Sequence, residues 1–363
     1  MTKELNVESK VDIDNIGELA TVDASGILGV LDGFSEQVSE ALEIGHSDIA
    51  LPQVQNPRTV AVLGMGGSGI SGDVAATLAE EGGLRLPVVT VKGYRLPSFI
   101  DSDSLVFAVS YSGNTEETLE VLRQALERRA TVIAVSSGGK LAEIAEKHGI
   151  PLFRIPAGMQ PRASLGYLFV PIMCALERMG MVKGVVDELT RAVPMLEKRG
   201  LEYGPTSSTA DNPAKRLAKE MPGYLPVVYG AEGYLSVAAQ RWKAQFNEMA
   251  KIPSFYNCFP ELNHNETVGW QNFQDVCAKC HLVVLGEPAL YDRIEKRVKI
   301  TLDLLEGSVG LITRVCARGA NTTEKLLDLI SFGDYVSVYL ALAIGQDPTP
   351  VARIEELKKR LAE

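Results

Sequence analysis

The sequence predicts an α/β protein built of two doubly wound αβα-sandwich domains with mainly parallel sheets. Short apolar runs alternate with stretches of helical spacing, which is the rhythm of strand, helix and parallel strand. The chain has 363 residues, 46% of them hydrophobic, enough for two cores of ordinary size. A polar, turn-rich stretch at 204–213, GPTSSTADNP, interrupts the rhythm before it restarts. The predicted division is therefore a helical extension over 1–50, a first domain over 51–200 and a second over 205–363.

In chain order, an amphipathic helix is expected near 27–44, with Ile27, Leu31, Phe34, Val38 and Leu42 on one stripe. Strands are expected at 59–63, 87–91, 105–109, 131–135 and 152–155, short apolar runs of the kind a parallel sheet buries on both faces. Helical patterns fill the gaps, and a long one covers 164–179. After the joint, strands are expected at 225–229, 254–259, 282–285 and 310–315. A loop and helix cover 230–251, and a long helix covers 321–344. The last helix takes Thr349 as N-cap and Pro350 in its first turn. The strand–glycine–helix unit at 60–77 is echoed at 227–245, which points to two related domains.

A net charge of −10 argues against a general nucleic-acid binder and against an anionic-membrane partner, leaving room only for a local basic pocket. The amino terminus is polar and acidic without a signal-peptide layout, and no uninterrupted run of 18 apolar residues follows, so the cytoplasm is the expected compartment. Five cysteines at no framework-like spacing suit reduced thiols. Cys277-Ala-Lys-Cys280-His281 matches the short C-x-x-C-H signature of haem attachment, but it runs straight into a buried-strand pattern in a chain without export features, so coincidence is the reading. No second ligand pair completes a zinc site, and the four histidines show no ligand spacing. No metal and no cofactor are expected.

The segment 105–118, LVFAVSYSGNTEET, breaks from a buried strand into hydroxyl, glycine and amide residues just before a helix. Ligands bind at such strand ends in open parallel sheets. Ser110, Ser112 and Thr115 offer O–H donors, Gly113 permits close backbone approach, and the helix start supplies free N–H groups and a partial positive charge, which together suit a phosphate. A plainer alternative is that Asn114 and Glu117 form a capping pair at a helix start.

Gly64-Met65-Gly66-Gly67-Ser68-Gly69 fits the glycine fingerprint of dinucleotide folds. The second strand, however, ends in Val91-Lys92-Gly93-Tyr94-Arg95 and lacks the acid that would hold ribose hydroxyls. Lys92 or Arg95 could serve a 2′-phosphate, which keeps an NADP-dependent oxidoreductase open. Two loops at adjacent strand ends are better explained as two walls of one sugar-phosphate site, with Gly66, Gly67 and Ser68 facing Ser110, Ser112 and Thr115.

Glu248 lies near the carboxyl end of a helix that Pro253 must stop, a position suited to a general base, although a solvated surface acid is the ordinary fate of a glutamate. His264, in the polar run ELNHNE, can shuttle protons near neutral pH or be incidental to the loop. Lys358 shares an apolar stripe with Val351, Ile354 and Leu361, so it either reaches inward or snorkels to the surface. Arg162 precedes a helix start, where cations are disfavoured unless an anion is near.

Taken together, GMGGSGISGD, SYSGNTEET, PRASLGYLF, NEMAK, ELNHNE and the terminal IEELKKRL resemble the bifunctional phosphoglucose/phosphomannose isomerases of the sugar isomerase (SIS) superfamily. The resemblance runs from about Arg58 to the carboxyl terminus. It implies two SIS domains, a homodimer, and metal-free exchange of glucose 6-phosphate or mannose 6-phosphate with fructose 6-phosphate. By motif match, Ser68, Ser110, Ser112 and Thr115 would hold the phosphate and Glu248 would move a proton between C2 and C1. Arg162 would meet the developing oxyanion, and His264, supplied by the partner subunit, and Lys358 would serve ring opening. A non-catalytic sugar-phosphate sensor of the same fold is the alternative from another class.

Overall fold

The computed structural model describes residues 10–54 and 56–361. The chain divides into two compact units. One comprises Gly33–Glu197 and Gly319–Glu324; the other comprises Met1–Asp32, Lys198–Arg318 and Lys325–Glu363. The predicted extension over 1–50 is thus shared out. Residues 10–32 go with the second unit and 33–50 with the first, and residues 1–9 lie outside the described residues. The single helix expected near 27–44 is two, Ile27–Asp32 and Phe34–His46, and Gly33 between them is where the units divide.

The first unit is built on β1 (Thr59–Leu63), β2 (Val88–Val91), β3 (Ser104–Val109), β4 (Thr131–Ser136) and β5 (Leu152–Arg154), all parallel, in the order β2-β1-β3-β4-β5. β1 and β3 are buried along their whole length, as continuous apolar runs in a parallel sheet should be. Leu63, Val106, Ala108, Val121, Leu122 and Leu141 join strand faces to the covering helices Glu116–Glu127 and Gly139–His148 in one apolar core.

The second unit is built on β6 (Leu225–Ala231), β7 (Phe255–Phe259), β8 (Cys280–Gly286) and β9 (Leu311–Cys316), parallel throughout and ordered β7-β6-β8-β9. In both sheets the chain leaves the first strand, adds the second on one side and returns to the other. This shared order accords with the echo of 60–77 at 227–245. Helix Thr322–Ala343 is long and apolar enough to cross a membrane, but its apolar window is entirely buried, as in a core helix. The N-terminal segment is tied to its unit by a wholly buried lysine. Lys215 Nζ lies 3.2 Å from Asp14 Oδ1, 2.9 Å from the Pro205 carbonyl and 5.5 Å from the centre of the Tyr339 ring.

Candidate active site

The order β2-β1-β3 makes the crevice between the carboxyl ends of β1 and β3 a topological switch point, where loops leave in opposite directions and a ligand can enter. The loop after β1 carries Gly66, Gly67 and Ser68, and the loop after β3 carries Ser110, Ser112 and Thr115. The structure joins these walls directly, because the Tyr111 N–H donates to the buried Ser68 hydroxyl at 3.3 Å. Ser110 Oγ and Thr115 Oγ1 are hydrogen-bonded at 2.9 Å, while Ser112 is exposed and its hydroxyl accepts from the Asn114 N–H at 3.3 Å.

Helices Gly66–Glu81 and Glu116–Glu127 begin at Met65 and Thr115, and neither N-cap side chain closes on the helix amides. Their first N–H groups are of the kind that hold anions. The capping alternative for Asn114 fails on this geometry. The Asn114 side chain instead donates to the Ser112 carbonyl at 3.0 Å and accepts from the Lys140 N–H at 3.1 Å.

That second contact reveals a part that sequence reasoning missed, the turn Ser136–Gly139 after β4. Ser137 donates twice to the Tyr111 carbonyl, from Oγ at 2.6 Å and from N–H at 3.1 Å, and the Leu141 N–H reaches the Gly113 carbonyl at 2.9 Å. A Cβ on Gly113 would stand 1.8 Å from the Gly138 carbonyl oxygen, so the two turns interlock at a backbone contact only glycine permits. The signal available was the SSGG run at a strand end, which reads as an ordinary turn.

Arg162 belongs to the same unit. It lies in the short 3₁₀ turn Pro161–Ala163, is 3% exposed, and its Nη1 is 3.4 Å from Gln160 Oε1. Gly67 packs against this turn so closely that a Cβ would be 2.5 Å from the Pro161 carbonyl oxygen. The Tyr111 hydroxyl accepts from the Met159 N–H at 2.8 Å, and burial pushes its phenol pKa upward. Ser68, Ser110, Ser112, Thr115 and Arg162 are therefore brought together through Tyr111 and Gly67. Lys92, which together with Arg95 kept NADP open, is ion-paired with Asp73 of the helix Gly66–Glu81.

The remaining candidates lie in the second unit. Glu248 is half-buried in a π-helical turn, Phe246–Ala250, that continues the helix Tyr234–Gln245. That helix is anchored by Arg241, which makes a bidentate pair with Asp334 at 3.0 and 2.5 Å, and by Gln245, which donates to the same carboxylate at 2.9 Å. π-turns inside α-helices are frequently functional.

His264 ends the 3₁₀ turn Glu261–His264 and is exposed. Its neighbour Glu266 is engaged elsewhere, accepting from the Tyr229 hydroxyl and, at 2.5 Å, from Asn257 Nδ2. Lys358 does not reach inward within the chain. Helix Ala352–Leu361 buries no residue, and Ile354, Leu357 and Leu361 are 41%, 58% and 63% exposed. The apolar stripe read in the sequence is present but uncovered, and Lys358 is exposed with it. The matching strand ends of the second sheet carry Glu232 and Glu287 in place of serines, a poor lining for a phosphate. Among the described residues, no three His, Cys, Asp or Glu side chains are gathered to hold a metal ion.

Comparison with known proteins decides the family. A model of the SIS domain matches residues 53–158, and a model of the bacterial phospho-glucose isomerase C-terminal SIS domain matches residues 210–361. The chain is 38% identical over 328 residues to the bifunctional phosphoglucose/phosphomannose isomerase of Caldicellulosiruptor bescii, covering 90% of this chain and 96% of that one. The chain belongs to the bifunctional phosphoglucose/phosphomannose isomerase family. The Aquifex aeolicus member of that family is 37% identical over 302 residues, covering 83% of this chain and 90% of its own. The fold is shared with a glucose-6-phosphate isomerase like protein of Thermus thermophilus, at TM-score 0.61 and 22% identity over 96% of this chain and 99% of that one. Within the family's two SIS domains, the hydroxyl cluster lies in the first and Glu248, His264 and Lys358 lie in the second.

Proposed function

We propose that this chain interconverts glucose 6-phosphate and mannose 6-phosphate with fructose 6-phosphate through a cis-enediol, without a metal. The observation that carries this reading is the Ser68–Tyr111 and Ser110–Thr115 hydroxyl arrangement at the β1/β3 switch point, in a chain of this family. Ser68, Ser110, Ser112, Thr115 and the amides of Gly66 and Gly67 take the phosphate. Glu248 removes the proton from C2 of the open aldose as the C1 oxygen gains one, so that a C1–C2 double bond forms. The same carboxyl returns the proton to C1 while the C2 hydroxyl becomes the ketone. Arg162 offers a cation to the oxygen on which negative charge develops. His264 and Lys358 exchange protons with the ring oxygen and the C1 hydroxyl during ring opening. An exposed His264 and an uncovered helix Ala352–Leu361 suit a homodimer in which His264 serves the partner subunit.

A coupled assay tests this reading on chelator-treated protein, with mannose 6-phosphate and fructose 6-phosphate as substrates. Wild type should retain full activity, and Glu248→Gln should lose about 10³-fold in kcat, the range of a general base. Loss of wild-type activity in chelator, or full activity in Glu248→Gln, overturns the mechanism. The sensor alternative predicts binding without turnover in both proteins.

A further inference from the structure

Lys251 directly follows the π-helical turn Phe246–Ala250 and sits at φ +58°, a left-handed conformation that glycine adopts freely and lysine only at a steric cost. Its N–H closes on the Phe246 carbonyl, which would satisfy a simple helix cap. The side chain does more than a cap requires. Its Nζ lies 2.6 Å from the Glu248 carbonyl oxygen, 3.2 Å from that of Met249 and 2.8 Å from that of Pro348. An ammonium has three donors, and here three carbonyls meet it. Strained backbone of this kind persists where the surroundings, or a function, require the residue that adopts it.

Two of those carbonyls belong to the turn that presents Glu248, and the third belongs to the segment leading into helix Ala352–Leu361. Glu248 and Lys251 line, with Asn247, Gln346 and Pro350, a cleft of about 480 Å³. Among the described residues the Glu248 carboxylate accepts no hydrogen bond, so the backbone beneath it is what aims it. We propose that Lys251 is a positioning residue for Glu248, its ammonium fixing the π-helical turn against the 346–350 segment so that the carboxylate meets the substrate carbon. Misplacement of a reacting group by about 1 Å costs on the order of 10²-fold in rate. This inference rests on the assignment of Glu248 as the base.

Lys251→Gly separates backbone from side chain, because glycine suits φ +58° better than lysine does, so the turn keeps its backbone while the whole side chain with its ammonium is removed. Steady-state kinetics with fructose 6-phosphate should show kcat reduced about 10- to 100-fold with KM changed less than about threefold. Lys251→Arg, which keeps the positive charge and N–H donors but on a larger, planar group, should recover part of kcat and be clearly faster than Lys251→Gly. A Lys251→Gly enzyme with wild-type kcat, or a Lys251→Arg enzyme as slow as Lys251→Gly, overturns the positioning role. Glu248→Gln measured alongside keeps the two readings apart. If it is inactive while Lys251→Gly is fully active, only the present inference fails; if it is fully active, the assignment of the base fails.

Discussion

The Tyr111 N–H donates to the Ser68 hydroxyl across 3.3 Å, which ties the loop after β3 to the loop after β1. Tyr111 also accepts from the Met159 N–H through its own hydroxyl and from Ser137 through its carbonyl. One buried residue thus sets the spacing of the phosphate loops, of the turn after β4 and of the segment that leads to Arg162.

Ser68 stands at the joint between the two walls, so its hydroxyl is already oriented before an anion arrives. Removing one hydrogen bond to a charged group costs about 1.5–3 kcal/mol, or roughly 10- to 100-fold in affinity. Ser68→Ala should therefore raise KM for fructose 6-phosphate about tenfold or more with a smaller change in kcat. An unchanged KM in steady-state kinetics would remove Ser68 from the phosphate site.

Gly67 has no room for a side chain, since its Cβ would stand 2.5 Å from the Pro161 carbonyl and 3.3 Å from the Arg162 nitrogen. Both neighbours are backbone and cannot swing aside. Gly67→Ala should shift the turn that carries Arg162 and lower kcat/KM about 10²-fold, as small displacements at reacting groups do. Gly29, exposed in the helix Ile27–Asp32 with open space around it, supplies a control away from the site. If Gly67→Ala retains wild-type kcat/KM, Arg162 does not depend on this contact.

The strand ends were legible because a parallel sheet buries both faces of its strands, and the sequence shows this as plain apolar runs. β1 begins and ends where the pattern places it, at Thr59 and Leu63. Ser110 and Thr115 stood out for the same reason, as hydroxyls where an apolar run stops. The turn Ser136–Gly139 did not, because its work is done by backbone contacts to Gly113 and Tyr111 that leave no periodic trace. Lys251 was hidden differently: its chemistry depends on a φ of +58° and on Pro348, almost a hundred residues away. The stripe holding Lys358 was read correctly as apolar, but apolarity alone does not tell a buried face from one left uncovered within a single chain.

His281, at the start of β8, is wholly buried, with Nε2 2.8 Å from Thr313 Oγ1 and Nδ1 lacking a partner. Burial holds its pKa down at about 4, against 6.5 for an ordinary histidine. Between these values the unfolded chain binds the proton and the folded one does not, so stability rises with pH across this window and falls as pH drops. The full loss approaches roughly 3 kcal/mol by pH 4. Urea unfolding at pH 7 and pH 4.5 should show this slope, and His281→Asn should flatten it. An equal slope in the variant assigns the acid loss to other groups.

Arg241 and Asp334 are both buried and bidentate, with Gln245 completing the carboxylate. Removing one partner strands a buried charge, at a cost of about 3–5 kcal/mol. Arg241→Met or Asp334→Leu alone should cost that much in chemical denaturation, and the double variant should cost less than either single. Additive losses would mean that the two groups do not stabilise each other.

The proposed sharing of His264 between subunits has a consequence that no single variant reveals. Glu248→Gln and His264→Ala homodimers should each be nearly inactive. In a mixed dimer, the chain that keeps Glu248 would receive His264 from the Glu248→Gln chain, while the other site would lack both groups. Random exchange of equal amounts gives about half mixed dimers with one good site of two, so about one quarter of wild-type activity should return. Refolding the variants together from denaturant and assaying the mixture measures this directly. If both groups acted from the same chain, no mixed site would hold both, and the mixture would stay as inactive as its components.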